Sequence, residues 1–337
     1  MVNSAIESHQ ALCLKKFSMS FYVNESGKSA VAKWLEFVWS TQVECLILSF
    51  RCSRPRSMVV LKELLGEMRP MNYLKKLFLG TMRVSGEDIS LFLRNCPLLM
   101  ELDIRSVLTS DVHVCGATLE LKKLRIRCRT ETSIKISAPN LISVMVDANR
   151  RKLFLENVPK LVSAVFRIQS PKYRAKHLAS AASCIISQLQ TLTLNLFYPE
   201  FLANGFPHQM PNLKELTLID KGVYEHGCLL PVKALISASP RLQKFTFTFL
   251  DKFEDATSHE RFRCPHQHLK DLKFQGFHAR HIIQLLTYIS DNCDEFHKIN
   301  TCSPLMGKAE VQVHRHHLKQ LQAQLSQHIQ LNFLNFT

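Results

Sequence analysis

The stretch that decides the fold is SAPNLISVMVDANRRKLFLENVPKLVSAVF, residues 137–166, because it repeats one pattern. Each copy has a proline and then three residues in the pattern apolar-x-x-apolar-x-apolar: Pro139 with Leu141, Val144 and Val146, and Pro159 with Leu161, Ala164 and Phe166. The last two apolar positions are two residues apart, which is the spacing of one side of a β-strand. Each copy therefore predicts a short strand with one side against a core.

The same template fits ten segments of the chain. They start at Val43, Leu74, Leu99, Leu121, Leu141, Leu161, Leu189, Leu213, Leu242 and Leu269, with 20 to 31 residues between successive starts. Because one such unit cannot bury its apolar side alone, neighbouring units must stack and pair their strands in parallel. The repeat predicts an α/β solenoid with a curved parallel sheet and with helices and turns on the convex side. The alternative is a set of unrelated amphipathic strands in an ordinary α/β domain.

The segments between the copies predict the back of the solenoid. Helices are expected at VVLKELLGEM (59–68), GEDISLFLRNC (86–96), AKHLASAASCIISQL (175–189) and LLPVKALISASP (229–240). The 20-residue spacing between Leu121 and Phe166 is too short for helices, so strands or turns are expected there. Near the C-terminus, residues 264–293 predict a strand, a loop and a helix, residues 313–329 an amphipathic helix, and QLNFLNF (330–336) a closing strand.

Composition sets the broad class of the protein. The 337 residues are 46% apolar and 21% charged, which is typical of a globular protein. No apolar run reaches the length of a membrane span, and the N-terminus lacks a signal-peptide pattern, so we expect a cytoplasmic or nuclear protein. The cysteine count of 11 is odd and includes no Cys-x-x-Cys, which favours reduced and mostly buried thiols over a disulfide framework.

Several linked segments resemble plant F-box/LRR proteins that carry a C-terminal FBD domain. They are ISAPNLISVMVDANRRKLFLENVPKLVSAV, CPHQHLKDLKFQGFHARHIIQLLTYISDNC followed by RHHLKQLQAQLSQHIQLNFL, and LKKFSMSFYV followed by VAKWLEFVWSTQVECLILSF. The resemblance implies an N-terminal capping segment at 1–41, leucine-rich repeats (LRRs) at 42–262, and an FBD-like α/β C-terminal cap at 263–337. No stretch before Leu14 could hold the three helices of an F-box. A Skp-type adaptor of a cullin ubiquitin ligase is therefore expected as a partner only if an F-box is supplied.

The side chains between and beside the buried strand positions point outward and are the candidate partner-binding residues. Reading them along the predicted concave face gives the set Arg105, Lys123, Arg125, Arg127, Asp147 and Arg167. The planar fork of arginine suits carboxylates and phosphates, so the basic members could hold an acidic segment or an anion. The alternative is a solvated face on which Glu101 and Asp103 pair with Lys123 and Arg125 across the strands.

Other chemistries have weaker signals. SGKS at Ser26–Ser29 resembles the end of a P-loop, but Tyr22 stands where its first glycine belongs. Two histidine clusters invite a zinc interpretation but lack four ligands at suitable spacing: Cys264, His266 and His268, and His314, His316 and His317. The chain has no Gly-x-Ser-x-Gly or His-Glu-x-x-His motif, so we expect no enzyme activity and no catalytic residues, cofactor or metal.

Protein–protein recognition is therefore the expected function. It could serve substrate recognition in an SCF-type ubiquitin ligase, or the chain could be an LRR-only binding or decoy protein with an unknown protein ligand. The net charge of +15 also supports nucleic-acid binding, although aromatic residues are not interleaved with the basic residues of the predicted face.

Overall fold

A computed structural model describes the protein over most of its repeats. The described residues are 6–9, 12–22, 28–51, 61, 68–107, 111–128, 132–148, 153–168, 184–196, 209–220, 235–249, 268–275, 298–302, 319 and 330–334. The chain divides into two compact units, Met1–Leu161 (unit 1) and Val162–Thr337 (unit 2). The predicted segments 1–41, 42–262 and 263–337 follow a different criterion and stay predictions.

Unit 1 is built mainly from short parallel strands. Its described helices are α1 (Lys28–Ser40) and α2 (Gly86–Asn95). Its described strands are β1 (Cys13–Leu14), β2 (Phe17–Tyr22), β3 (Gln42–Val43), β4 (Cys45–Arg51), β5 (Lys76–Gly80), β6 (Glu101–Val107), β7 (Asp111–Cys115), β8 (Lys123–Cys128), β9 (Ser133–Ser137), β10 (Ser143–Ala148) and β11 (Leu153–Glu156). The strands β2, β4, β5, β6, β8 and β10 pair in that order, and every pair is parallel.

A second parallel sheet in unit 1 joins β7, β9 and β11, and the short strands β1 and β3 pair with each other. The strands β9 and β11 lie within the part of the chain where the repeat spacing is too short for helices. The prediction of strands or turns there is therefore confirmed.

Unit 2, taken by itself, is also built from short parallel strands. Its described strands are β12 (Ser163–Ile168), β13 (Thr191–Leu196), β14 (Glu215–Asp220), β15 (Lys244–Phe249), β16 (Asp271–Gln275), β17 (Lys298–Cys302) and β18 (Gln330–Leu334). They pair in chain order and in parallel. The strands predicted within residues 264–293 and at QLNFLNF are confirmed as β16 and β18.

The core consists of the apolar template positions. In all ten copies the three apolar residues are buried, and none of them is more than 4% exposed. Burial of one such leucine side chain contributes on the order of 2 kcal/mol to folding. The parallel ladders keep equivalent residues opposite each other, as for Leu124 and Val144 in β8 and β10. Within each unit, the repeating pattern therefore makes one row of buried side chains for each template position.

Helix α2 confirms the helix predicted at GEDISLFLRNC. Ser85 caps its N-terminus: the Ser85 hydroxyl accepts from the Asp88 N–H, and the Asp88 carboxylate accepts from the Ser85 N–H at 2.7 Å. Residues 235–237 are helical, as predicted within the segment 229–240. The other predicted helices lie wholly or largely outside the described residues. No described helix is long and apolar enough to cross a membrane.

The residue between proline and leucine in the Pro-x-Leu motif links neighbouring repeats within each unit. Asn140 Nδ2 donates to the backbone oxygen of Leu119 at 3.1 Å, and Lys160 Nζ donates to Asn140 Oδ1 at 2.7 Å. The same arrangement recurs in unit 2. There Asn212 Nδ2 donates to the backbone oxygen of Ser187 at 2.6 Å, and Arg241 Nη1 donates to Asn212 Oδ1 at 3.2 Å. The motif therefore carries hydrogen bonds along the edge of the sheet as well as marking the start of each strand.

The expectation of mostly buried thiols is wrong for the described cysteines. Cys96 and Cys128 are buried, Cys45 is half-buried, and Cys13, Cys115 and Cys184 are exposed. The reason is clearest in β7, where burial alternates along the strand and Cys115 occupies an exposed position. A cysteine in an apolar run is thus exposed whenever it falls on the outward side of the alternation.

Candidate functional site

The outward side of β5, β6, β8 and β10 carries the charged residues predicted for unit 1. We call this surface the strand face; its residues are Lys76, Phe78, Glu101, Asp103, Arg105, Lys123, Arg125, Arg127, Ser143, Met145 and Asp147. The parallel register arranges them in rows across the strands. One row contains Lys76, Glu101, Lys123 and Ser143, and the next contains Phe78, Asp103, Arg125 and Met145.

The first row holds one carboxylate between two lysines. Glu101 Oε1 lies 3.1 Å from Lys76 Nζ and 3.4 Å from Lys123 Nζ. Partial burial raises the pKa of Glu101, but the hydrogen bond from Lys76 and the charges of both lysines outweigh it and hold the pKa below its ordinary value. The two ammonium groups together exceed the charge of Glu101, so this row keeps a net positive charge.

Asp103 of the second row lies between two arginines, Arg125 of the same row and Arg105 two residues farther along β6. Asp103 lies 3.6 Å from Arg105 Nε and 3.9 Å from Arg125 Nη1, and 51% and 63% of the two arginine side chains are exposed. The Arg105 guanidinium also lies 4.6 Å from the centre of the Phe78 ring, a cation–π contact. Exposed ion pairs of this kind contribute at most about 1 kcal/mol, so these arginines are free to exchange Asp103 for another anion.

Arg127 and Asp147 form a different kind of pair. Arg127 Nε donates to Asp147 Oδ2 at 3.0 Å, and Asp147 is buried with 5% of its side chain exposed. A charge-assisted hydrogen bond to a buried carboxylate contributes about 1.5–3 kcal/mol. This pair therefore stabilises the sheet of unit 1 more than the exposed pairs do.

Arg167 belongs to unit 2, where it lies on β12 opposite Asn195 of β13. The Arg167 Nε and the Asn195 Oδ1 are buried, and neither atom has a hydrogen-bond partner within the described part of the chain. One outward row of unit 2 is polar: Thr193, Thr217, Thr246 and Lys273 lie opposite one another on successive strands.

Comparison with known families identifies the family to which the chain belongs. The family described as At1g61320/AtMIF1, LRR domain, matches residues 64–303, which is more than half of the 337-residue chain. The chain belongs to the At1g61320/AtMIF1 LRR domain family. This confirms the leucine-rich-repeat solenoid, and an LRR domain of this kind is a protein-interaction module. No curated protein matches the chain.

The LRR strand face contains the cross-strand pairs expected from the alternative interpretation, since Glu101 pairs with Lys123 and Asp103 with Arg125. These pairs do not neutralise the surface. Its five cationic side chains face three carboxylates, and each of the two half-buried carboxylates, Glu101 and Asp103, is shared by two cations. The role of the predicted set in partner binding stays a prediction.

Sequence reasoning missed three outward residues of this LRR. Lys76 and Phe78 lie on β5, one repeat before β6, which carries Arg105, the first residue of the predicted set. Asn195 lies on β13 and is likewise outside that set. The signal for Lys76 and Phe78 was present, because the same template offsets applied to the copy at Leu74 select them. For Asn195 the deciding signal is the missing hydrogen bond, which only the structure supplies.

Metal and nucleotide sites receive no support from the described part of the LRR. Among those residues, no group of three or more His, Cys, Asp and Glu side chains is placed to hold a metal ion. His268 is described and exposed, but the remaining members of both histidine clusters lie outside the described residues. Ser26 and Gly27 of the SGKS segment also lie outside them, and α1 begins at Lys28.

Proposed function

We propose that the protein recognises an acidic segment of a partner protein through the strand face. The observation that carries the proposal is the surplus of cations over carboxylates among outward side chains on paired strands. Because the parallel register holds the strands, the charged groups stand at fixed separations, which favours selective recognition. Phe78 and Met145 are half-buried in the same row and offer apolar contact between the charges.

Carboxylates favour a protein partner over nucleic acid. Nucleic-acid surfaces are lined mainly by cations that neutralise phosphates, whereas the strand face sets Glu101 and Asp103 among its lysines and arginines. These carboxylates would repel a phosphate backbone but could accept hydrogen bonds from a protein partner. Phe78 is covered by Arg105, which makes it unsuited to stacking on a base.

The resemblance to F-box/LRR proteins with an FBD domain supports a more specific role. In that role the LRR would select substrates for ubiquitination, and the residues 263–337 would act as an FBD-like cap. The test is whether a Skp-type adaptor and a cullin co-purify with the endogenous protein. Co-purification of other proteins without these subunits would instead favour an LRR-only binding or decoy protein.

The test of face recognition is a charge reversal that spares the buried pair. Lys123 and Arg125 are 61% and 63% exposed, so K123E/R125E changes the face without removing Arg127 from Asp147. The matched control is K33E/R94E, which makes the same change in charge at exposed residues of α1 and α2. Each tagged chain is used to capture partners from native tissue, and mass spectrometry quantifies them.

Partners captured by the wild-type chain should be lost with K123E/R125E and kept with K33E/R94E. Equal loss with both variants would mean that net charge, and not the strand face, drives the association. Binding to DNA or RNA that falls steeply with salt in the wild-type chain would favour the nucleic-acid alternative.

A further inference from the structure

Two facing positions in unit 2 leave polar atoms buried without a partner. Among the residues that the structure describes, neither Arg167 Nε nor Asn195 Oδ1 has a hydrogen-bond partner, and the two residues lie opposite each other in the register of β12 and β13. Asn195 is 6% exposed. Unsatisfied buried donors and acceptors destabilise a folded protein, and the few that native structures retain require an explanation.

Unit 1 contains an equivalent pair, in which the arginine is hydrogen-bonded to its neighbour. Arg127 and Asp147 occupy the template position of Arg167 and Asn195, one residue after the third apolar residue of each copy. In unit 1 the arginine Nε donates to the aspartate carboxylate at 3.0 Å. In unit 2 an amide replaces that carboxylate, and the arginine Nε has no acceptor. The two pairs therefore differ in one functional group and in whether the arginine is satisfied within the protein.

We propose that Arg167 and Asn195 form a subsite for the carboxylate of an acidic residue in the partner, which rests on the proposed recognition of a protein by the outward strand surface. The ligand carboxylate takes the place that the Asp147 carboxylate takes beside Arg127. It accepts hydrogen bonds from Arg167 through Nε and one terminal nitrogen, in the fork geometry of arginine. Rotation of Asn195 about its broad χ2 well lets Nδ2 donate to the second carboxylate oxygen.

A single substitution can fill this subsite with a carboxylate of the protein itself. N195D places a carboxylate opposite Arg167 and reproduces the chemical pair of unit 1. The matched control is Q275E, because Gln275 follows the third apolar residue of its own copy and its replacement makes the same amide-to-carboxylate change. Gln275 Oε1 accepts from Thr248 Oγ1 at 2.9 Å, and a glutamate can keep that bond.

The first measurement uses the full chain without a ligand. N195D should raise the Tm by roughly 2 °C or more relative to the wild-type chain, because it supplies an acceptor to the unsatisfied Nε. Q275E should give no such increase. A Tm of N195D at or below that of Q275E would show that Arg167 has no vacant acceptor position and would overturn the proposal.

The second measurement is an NMR titration of the 15N-labelled full chain with a hexaglutamate peptide, and the arginine Nε–H signals are the readout. The Arg167 signal is assigned as the one that disappears in R167K. The peptide should shift the Arg167 signal saturably in the wild-type chain and in Q275E, and its affinity at this signal should fall at least ten-fold in N195D. Sodium chloride at the same ionic strength should leave the signal in place.

An unchanged Arg167 signal, or the same affinity in all three chains, would contradict the subsite. A saturable response to inorganic phosphate at lower concentration than to the peptide would contradict its assignment to a carboxylate. Neither outcome depends on Lys123 or Arg125. Failure here combined with loss of partner capture by K123E/R125E would therefore refute the subsite and leave face recognition in place.

Discussion

Replacement of Arg127 by methionine should destabilise unit 1 far more than the same replacement at Arg125. R127M removes the donor to Asp147, a bond of 3.0 Å to a carboxylate with 5% of its side chain exposed. The loss of such a charge-assisted bond costs about 1.5–3 kcal/mol. Arg127 itself is 44% exposed, so solvent screens part of the interaction, and we expect about 2 kcal/mol. Methionine keeps much of the aliphatic stem of arginine, which limits the loss of packing.

The control substitution R125M has the same chemistry in a different environment. Arg125 lies 3.9 Å from Asp103, and the two side chains are 63% and 20% exposed. An exposed pair at this distance contributes about 0–1 kcal/mol. The expected difference between the two variants is therefore at least about 1 kcal/mol, which equilibrium unfolding resolves.

Urea unfolding followed by tryptophan fluorescence provides the assay. The two tryptophans of the chain, Trp34 and Trp39, both lie on α1 of unit 1, and Trp39 is buried, so their emission reports the unit that contains Arg127. The urea midpoint should fall with R127M and change little with R125M. Equal midpoints for the two variants would refute the claim that burial of Asp147 makes its pair the stronger one.

Three further predictions concern other parts of unit 1. Iodoacetamide at pH 8 should label the exposed Cys13 in the folded chain well before Cys128, because burial raises the pKa of the Cys128 thiol to about 12. Peptide mass spectrometry after a timed reaction measures both labelling rates. Equal rates would contradict the burial of Cys128. Because neighbouring lysines lower the pKa of Glu101, its contribution to stability is complete above the ordinary glutamate pKa of about 4.3 and is lost as pH falls through the lower folded-state pKa. Urea titrations from pH 6 to pH 3 should thus show a shallower acid decline for E101Q than for the wild-type chain, and parallel curves would argue against the pairing. G86A should lower the urea midpoint, because a Cβ at Gly86 would lie 2.5 Å from the backbone oxygen of Asp111. This clash should outweigh the higher helix propensity of alanine. An unchanged or raised midpoint would show that the start of α2 moves away from β7 at little cost.

The fold could be predicted from sequence because its signal is repeated. Each template copy is weak alone, but ten copies at similar spacing require one architecture in which all of them are buried. The strand β17 was not among the copies because Thr301 stands at the position that Phe274 occupies in β16, so the apolar pattern is broken there. The strand forms because its neighbours β16 and β18 pair with it on both sides.

The candidate site could be predicted only as a set of outward residues. Strand alternation indicates that Arg127 and Arg167 face outward. It does not show whether either arginine is hydrogen-bonded to the residue on the neighbouring strand. That distinction depends on the residue opposite each arginine, Asp147 in one case and Asn195 in the other, and hence on the register between strands. Hydrogen-bond distances and burial then decide which arginine is satisfied within the protein.

The most direct test of the central claim is photo-crosslinking from the strand face itself. A benzoylphenylalanine in place of Met145, beside Arg125 in the register, samples the surface proposed to bind the partner. The same group in place of Lys33 samples an exposed position of α1. Irradiation in native tissue extract should crosslink the partner to the chain labelled at Met145 and not to the chain labelled at Lys33. Capture of that partner from Lys33 alone would contradict recognition by the strand face.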